Sequence, residues 1–205
     1  MANSDVMGEL FIWTDIDPAH EADFNRWYDR EHMAERAAIP GFMWARRYRA
    51  RRAAPRYLAL YRTESLSVFT SEAYRQAFSQ QTAWSLANFG RMRNTRRRVM
   101  AVTPLGGYGT GALLVLIPGA PAPAALRDVL AVDGVLALRR LEPDPALSTP
   151  LPSEEAATRV LAPVCLVETA TPEAAQAVCG RHPDAQVFDL LWDLQSAELS
   201  ASRTS

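Results

Sequence analysis

The side chains best suited to chemistry are concentrated between Phe24 and Phe42. This stretch carries an imidazole, an indole, a phenol, three carboxylates and three guanidiniums. It is predicted to form one helix followed by a turn, and residues four apart on a helix stack into a ridge. Two neighbouring ridges result, one containing Phe24, Tyr28, His32 and Arg36 and the other containing Trp27, Glu31 and Glu35.

Glu31 and His32 are the predicted catalytic pair. The aromatic residues of both ridges should face a sheet. Glu31 and His32 lie on the same face of the helix, nearer its C-terminal end. Partial desolvation there raises the pKa of a carboxyl group, and a neighbouring imidazole can share its proton. General acid–base catalysis requires this arrangement. The alternative is that His32 hydrogen-bonds a carbonyl or a carboxylate and only closes the helix end.

Aromatic and basic residues in the first half are predicted to line a pocket around this pair. Four of the five tryptophans and five of the six tyrosines precede residue 105. Each is individually typical of a protein core, but together they would suit a flat or aromatic substrate. The predicted substrate-binding residues are Trp27, Tyr28, Arg36, Trp44, Arg47, Tyr48 and Trp84. Arg36 or Arg47 would stabilise developing negative charge, although an exposed strand edge is the alternative for Arg47.

The elements that position these residues are predicted to occur twice in the same order. Hydrophobic periodicity and turn signals predict strands at 9–16, 42–49, 57–62 and 98–103, with helices at 18–38 and 65–93. Alternation along the second strand places Phe42, Trp44 and Tyr48 on one face. This βαββαβ order is that of a ferredoxin-like unit. A glycine-rich connection at 104–111 leads to strands at 112–117, 134–141, 159–169 and 186–194, with helices at 123–132 and 171–179.

We therefore predict an α+β fold made of two such units. Residues 1–105 form the first unit, which carries the site. Residues 106–195 form a second unit that acts as a scaffold, because its first helix lacks histidine. Residues 196–205 are small and polar and are predicted to be a flexible tail. A second sheet would cover the face that one open four-stranded sheet leaves bare.

Composition excludes several classes of function. The chain has 205 residues, 48% of them hydrophobic and 22% charged, which is ordinary for a soluble globular protein. It has no leader-like N-terminus and no apolar run near 18 residues, so we expect a cytoplasmic protein that does not cross a membrane. All 22 basic residues are arginine, which excludes a Schiff-base lysine or a P-loop lysine. The arginine clusters at 46–52 and 91–98 lack the stacking aromatics of nucleic-acid-binding proteins, so they indicate a solvated face or attraction of an anionic small molecule.

The order of elements, together with Phe24, Trp27-Tyr28, His32 and Pro40-Gly41-Phe42, resembles the dimeric α/β-barrel superfamily. More narrowly, it is similar to the EthD-like branch. In these families two ferredoxin-like units pack sheet to sheet, so the resemblance implies a pseudo-dimer fused in one chain, with a homodimer of that chain as a further expectation.

The resemblance also implies a cofactor-independent enzyme acting on a small aromatic or polyketide-like molecule. His32, assisted by Glu31, would drive a lyase, isomerase or cyclase step. The alternatives are a cofactor-free monooxygenase and a non-catalytic module that binds a ligand or a protein. We expect no metal, since adjacent residues such as Glu31 and His32 point in different directions on a helix. No cofactor is expected either, although some members of the superfamily use haem, for which His32 would be the axial ligand.

Overall fold

The computed structural model describes residues 6–151, 154, 157 and 159–201. Its centre is a closed antiparallel barrel of eight strands in the spatial order β1-β3-β2-β8-β5-β7-β6-β4. The strands are β1 (Gly8–Ile16), β2 (Phe42–Ala50), β3 (Tyr57–Thr63), β4 (Met92–Gly107), β5 (Leu113–Pro118), β6 (Val135–Pro143), β7 (Val164–Thr169) and β8 (Gln186–Gln195). The first four strands follow the order β4-β1-β3-β2 and the last four follow β8-β5-β7-β6. The predicted α+β class and a barrel are thus confirmed.

The two halves of the barrel hydrogen-bond along both edges. Strand β2 pairs with β8, and β4 pairs with β6. The predicted strand at 98–103 is much longer than expected, because β4 pairs first with β1 and then continues along β6. Part of the predicted glycine-rich connection is therefore strand. At Gly107, where φ is +70°, an added Cβ would lie 2.0 Å from the Leu136 carbonyl oxygen, so this crossing requires glycine.

The helices lie on the outside of the barrel. In the first half they are a 3-10 turn at Pro18–His20, α1 (Glu21–Trp27), a π turn at Tyr28–His32, α2 (Met33–Ala37), a 3-10 turn at Leu66–Thr70, α3 (Glu72–Ser79) and α4 (Ala83–Arg91). In the second half they are α5 (Pro123–Leu130), α6 (Pro172–Arg181) and α7 (Ser196–Ala201). The stretch predicted as helical over 65–93 is divided before α4, where Thr82 caps the helix by accepting from the Ser85 amide.

Two expectations differ from the structure near the C-terminus. The strand predicted at 159–169 begins only at Val164. The tail predicted to be flexible continues as α7, whose first turn contains Glu198, and residues 202–205 lie outside the described part of the chain. Glu198 accepts a hydrogen bond from the Gln195 amide (2.8 Å), which links the end of β8 to the helix.

The barrel interior and its outer faces form three separate cores. The interior contains aromatic and aliphatic residues from both halves, among them Phe11, Trp13, Leu58, Leu114, Leu166 and Phe188. The outer face of the second half is filled by residues of α5 and α6, including Leu126, Val129 and Val178, which are at most 6% exposed. On the outer face of the first half, the helices cover a larger aromatic core. The candidate site lies there.

Candidate functional site

The helical segment that carries the predicted site is not a regular α-helix. Over Tyr28–His32 it widens into a π turn, in which the Met33 amide donates to the Tyr28 carbonyl five residues earlier. The extra residue lets His32 contact two aromatic rings of the preceding turn. Trp27 stacks on the imidazole with 4.1 Å between ring centroids, and Tyr28 meets it edge-on at 5.3 Å. Such π turns occur frequently at functional sites.

The predicted ridge is nevertheless preserved. Phe24, Tyr28, His32 and Arg36 are all buried beneath the helix, with exposures between 0% and 6%. Gly41, with a φ of +87°, lies in the turn that follows this segment, just beyond the predicted helix end at residue 38. Three of these four residues reach a cavity beneath the helix.

We call this space the helix-side cavity. It has a volume of about 450 Å³, within the range of small-molecule sites, and lies between the first helical segment, α3–α4 and the outer face of β1, β3 and β4. Its lining is mostly apolar and consists of Leu10, Ile12, Tyr28, His32, Arg36, Tyr61, Tyr74, Phe78, Gln81, Leu86, Phe89, Met92, Thr95, Arg97 and Leu151. Phe78 and Leu86 are more than half exposed, so the apolar wall continues to the protein surface.

His32 is held as a neutral imidazole in this cavity. Burial lowers its pKa from 6.5 to about 4, with a smaller contribution in the same direction from the positive charge of Arg36. The Glu35 carboxylate opposes this effect, although its Oε2 lies 3.9 Å from His32 Nδ1, too far for a hydrogen bond. Within the described part of the chain, Nδ1 is buried and has no hydrogen-bond partner.

Two phenols and a guanidinium surround the imidazole. The rings of His32 and Tyr61 meet edge-on at 6.3 Å. Burial raises the pKa of the Tyr28 and Tyr61 hydroxyls, and that of Tyr61 lies well above its ordinary value, so both remain protonated. Arg36 donates to the Gln81 side-chain oxygen (3.1 Å) and more weakly to the Ala77 carbonyl (3.4 Å).

Arg97 approaches the cavity from β4. Its guanidinium donates to the Tyr74 hydroxyl (3.1 Å) and to the Leu147 carbonyl (3.2 Å), both of them neutral acceptors. No aspartate or glutamate is among the described residues that line the cavity. The cavity therefore combines apolar walls, a neutral base and two positive charges.

Glu31 does not share this cavity with His32. Its Oε1 accepts hydrogen bonds from Thr82 Oγ1 (2.6 Å) and Ser85 Oγ (3.2 Å) at the start of α4. Ser85 in turn accepts from Trp27 Nε1 (3.1 Å). The expectation that Glu31 assists His32 is therefore not supported by the geometry, because its side chain turns outward to tie the first helical segment to α4.

Trp27, Trp84 and Arg47 lie around the cavity without lining it. Trp27 supports the back of His32 and is fully buried. Trp84 donates to the Asp23 carboxylate (3.2 Å) and so links α4 to α1. Arg47 is 2% exposed, not on an open edge, because β8 covers β2 and the guanidinium donates to Asn25 Oδ1 (2.6 Å) beneath α1.

Trp44 and Tyr48 point to the opposite side of the sheet, into the barrel. The prediction that Phe42 shares their face is wrong, because a β-bulge between Phe42 and Trp44 shifts the register and turns Phe42 outward. Trp44 lies among the guanidiniums of the barrel interior, 4.1 Å from that of Arg46. Neither residue can reach a ligand in the helix-side cavity.

Sequence reasoning missed Tyr61 and Arg97 as site residues. Tyr61 is one of the first-half aromatics that fit either a core or a pocket, and it is not among the predicted substrate-binding residues, although its period-two spacing from Tyr57 in β3 places both on the helix side. Arg97 belongs to the arginine cluster whose charge suggested attraction of an anionic molecule. Its outward direction follows from the register of β4 against β1, which the sequence does not state.

Neither a metal-binding cluster nor the hydrogen-bond support usual for a ligating histidine is present among the described residues. Among them, no group of three or more His, Cys, Asp or Glu side chains could hold a metal ion. A metal-bound histidine almost always donates its second ring nitrogen to an acceptor, whereas His32 Nδ1 has none within hydrogen-bond distance in the described chain. No described helix is long and apolar enough to cross a bilayer.

The fold is that of the dimeric α/β barrels, as solved structures of similar architecture indicate. No protein-family model and no curated protein matches the chain. A proposed chlorite dismutase superimposes with a TM-score of 0.57 at 9% identity, covering 96% of this chain and 98% of that one. An anthrone oxidase-like protein gives 0.54 at 13% identity with 95% of each chain covered. A proposed monooxygenase from Lactobacillus acidophilus gives 0.53 at 7% identity, covering 93% and 97%. At such low identity the likeness establishes the fold alone.

Proposed function

We propose that this chain is a cofactor-independent enzyme that removes a proton from a small aromatic or polyketide-like molecule in the helix-side cavity. The observation that carries the proposal is the composition of the cavity. A neutral imidazole and two guanidiniums occupy an otherwise apolar space, and no described lining residue is a carboxylate. Such a space favours a substrate that becomes negatively charged during the reaction.

His32 is the proton acceptor in this proposal. Its pKa of about 4 keeps it neutral near pH 7, which is the state a general base requires, but it also makes the imidazole a weak base. Arg36 and Arg97 offset this weakness, because their charges stabilise the substrate anion as it forms. The new anion in turn stabilises the imidazolium beside it. Trp27 holds the ring in place, and the apolar walls exclude water.

We favour reaction of this anion with O₂, which makes the chain a cofactor-free monooxygenase. A lyase, isomerase or cyclase commonly needs a second group to return the proton elsewhere, and Glu31, the residue predicted for that role, is bonded to α4. Likeness to an anthrone oxidase-like protein and a proposed monooxygenase supports the same choice at the level of the fold.

The oxygenation balances without a further reductant. For an anthrone-type ring, the carbanion carbon gives electrons to O₂ and forms a C–O bond, leaving a hydroperoxide after protonation. The O–O bond then breaks as the second hydrogen leaves the same carbon. The products are a quinone carbonyl and one water molecule, so O₂ is the sole oxidant.

The test is O₂ consumption and quinone formation with a dihydroxyanthrone, corrected for spontaneous oxidation. His32→Gln should lower the rate by about 100-fold or more, the usual contribution of a general base. His20→Gln is the matched control, because His20 lies in the first 3-10 turn and outside the cavity lining, and it should leave the rate unchanged. Equal rates for wild type and His32→Gln would contradict the proposal. Conversion without O₂ would favour the lyase or isomerase alternative, and binding without conversion would favour a non-catalytic module.

The finer assignments of the fold are also proposals. The repeated strand order supports two fused ferredoxin-like units, 1–105 and 106–195. Membership of the EthD-like branch rests on the sequence motif, and the homodimer and the cytoplasmic location remain predictions. The second unit serves as the scaffold in this proposal, since helices pack directly on its outer face.

A further inference from the structure

The helix-side cavity contains two buried positive charges that form no ion pair with a described carboxylate, although the charge of Arg36 contributes to lowering the pKa of Glu35. Arg36 and Arg97 are 6% and 7% exposed. Neither forms an ion pair with any residue in the described part of the chain, and their observed acceptors are carbonyl, amide and hydroxyl oxygens. Charged side chains are rarely buried in proteins unless they are paired.

Other buried arginines of this protein follow the general rule. Inside the barrel, Arg139 lies 2.8 Å from a Glu168 oxygen, and the partly buried Arg62 lies 2.6 Å from a Glu9 oxygen. Arg46 similarly lies 3.0 Å from an Asp193 oxygen. The absence of an ion pair at Arg36 and Arg97 is therefore particular to the helix-side cavity.

Two donors that line the same cavity also lack acceptors. The Tyr61 hydroxyl and Arg36 Nε are buried and form no hydrogen bond of normal geometry with a described residue, although the Tyr61 hydroxyl interacts with that of Tyr28. An unsatisfied polar group alone would be weak evidence, because the Tyr48 hydroxyl in the barrel interior is also unsatisfied. Tyr61 and Arg36 differ from Tyr48 in that they border a space large enough for a ligand.

We infer that the helix-side cavity binds an anion: a flat apolar molecule with one ionised acidic oxygen, a carboxylate or a phenolate, that accepts from Arg36 and the Tyr61 hydroxyl. Arg97 compensates the same charge from β4. The inference deepens the proposed function, because it concerns the same cavity and restricts the substrate to aromatic acids or acidic phenols. It makes Tyr61 a substrate-binding residue. Since burial keeps the pKa of Tyr61 well above its ordinary value, its hydroxyl remains a donor at neutral pH.

The test compares two probes of the same shape, naphthoate and naphthamide, by calorimetric titration at about pH 7.5, where the carboxylate is ionised. Wild type should bind naphthoate at least about tenfold more tightly, since hydrogen bonds to charged groups are the stronger kind. Tyr61→Phe should weaken naphthoate binding by about tenfold to a hundredfold and change naphthamide binding little. Arg36→Gln should remove the preference for the anion.

Arg75→Gln is the matched control, because this exposed arginine of α3 pairs with Glu72 outside the cavity. It should leave both affinities unchanged. Equal affinities for the two probes, or full naphthoate affinity in Tyr61→Phe, would overturn the inference. Tyr61→Phe removes a hydroxyl that interacts with Tyr28 but forms no hydrogen bond of normal geometry, so its melting temperature should change little, and this variant carries the test if Arg36→Gln unfolds.

The outcome is separable from that of the proposed function. Naphthoate has no C–H bond acidic enough for the proposed oxygenation, so its binding does not depend on turnover. Preferential naphthoate binding without dihydroxyanthrone oxidation would leave this inference standing and reject the proposed function. Oxidation with no preference for the anion would reject this inference alone.

Discussion

The stability of the protein should fall between about pH 6.5 and pH 4 because of His32. Burial is the main cause that lowers the pKa of His32 in the folded protein to about 4, whereas the unfolded chain returns it to 6.5. Above pH 6.5 the imidazole is neutral in both states and contributes nothing. As the pH falls, the unfolded chain takes up a proton that the folded protein resists. The free energy of unfolding therefore decreases until the folded protein is also protonated.

The magnitude follows from the two pKa values. A shift of about 2.5 units corresponds to about 3 kcal/mol in total, of which about 2 kcal/mol should be lost by pH 5. Urea unfolding of wild type and His32→Gln at several pH values measures this loss. The difference between the two proteins isolates His32, because the other titrating groups are common to both. A difference that stays constant between about pH 7.5 and 5 would refute the reasoning, and it would mean that the imidazole is hydrated or paired in the folded protein.

Two further substitutions separate structural from catalytic roles. Glu31→Gln should retain dihydroxyanthrone oxidation to within a few fold and lower the free energy of unfolding by about 1–2 kcal/mol, because its carboxylate accepts from Thr82 and Ser85 and not from a ligand. A loss of turnover as large as that of His32→Gln would contradict this expectation and indicate that Glu31 takes part in catalysis together with His32. Arg139→Met should cost about 3–5 kcal/mol and lower Tm by roughly 6–20 °C, since it leaves the buried Glu9 and Glu168 without their shared partner. Arg75→Gln serves as its exposed control, and similar Tm values for the two variants would contradict this estimate.

The ridge of the first helical segment was predictable because its spacing of four survives the π turn. Tyr28, His32 and Arg36 therefore reach the cavity as a sequence pattern suggests. The side-chain direction of Glu31 was not predictable, because the residue it bonds to, Thr82, lies 51 residues away in the sequence. Glu31 accepts from Thr82 and not from the neighbouring imidazole.

The predictions for residues of strand β2 were wrong for a different reason. A single bulged residue, Met43, reverses the side on which Phe42 lies relative to Trp44 and Tyr48. Alternation within the strand contains no sign of that bulge, because side-chain direction depends on the register with the neighbouring strand. The expectation that Arg47 is exposed considered only the first four strands, in which β2 would lie at the edge of the sheet. In the structure β8 of the other half pairs with β2 and covers this edge.

The same dependence on the other half explains why the cavity is on one side of the barrel. The connection between β6 and β7, which the sequence presents as a proline-rich loop, crosses onto β4. There the Ser148 hydroxyl accepts from the Val99 amide (2.9 Å) and donates to its carbonyl (3.0 Å). This placement brings the Leu147 carbonyl to Arg97 and Leu151 to the cavity wall. The proposed general base of this cavity, His32, comes from the first half of the chain, whereas Leu151 of its wall comes from the second half. The cavity can therefore not be predicted from either half of the sequence alone.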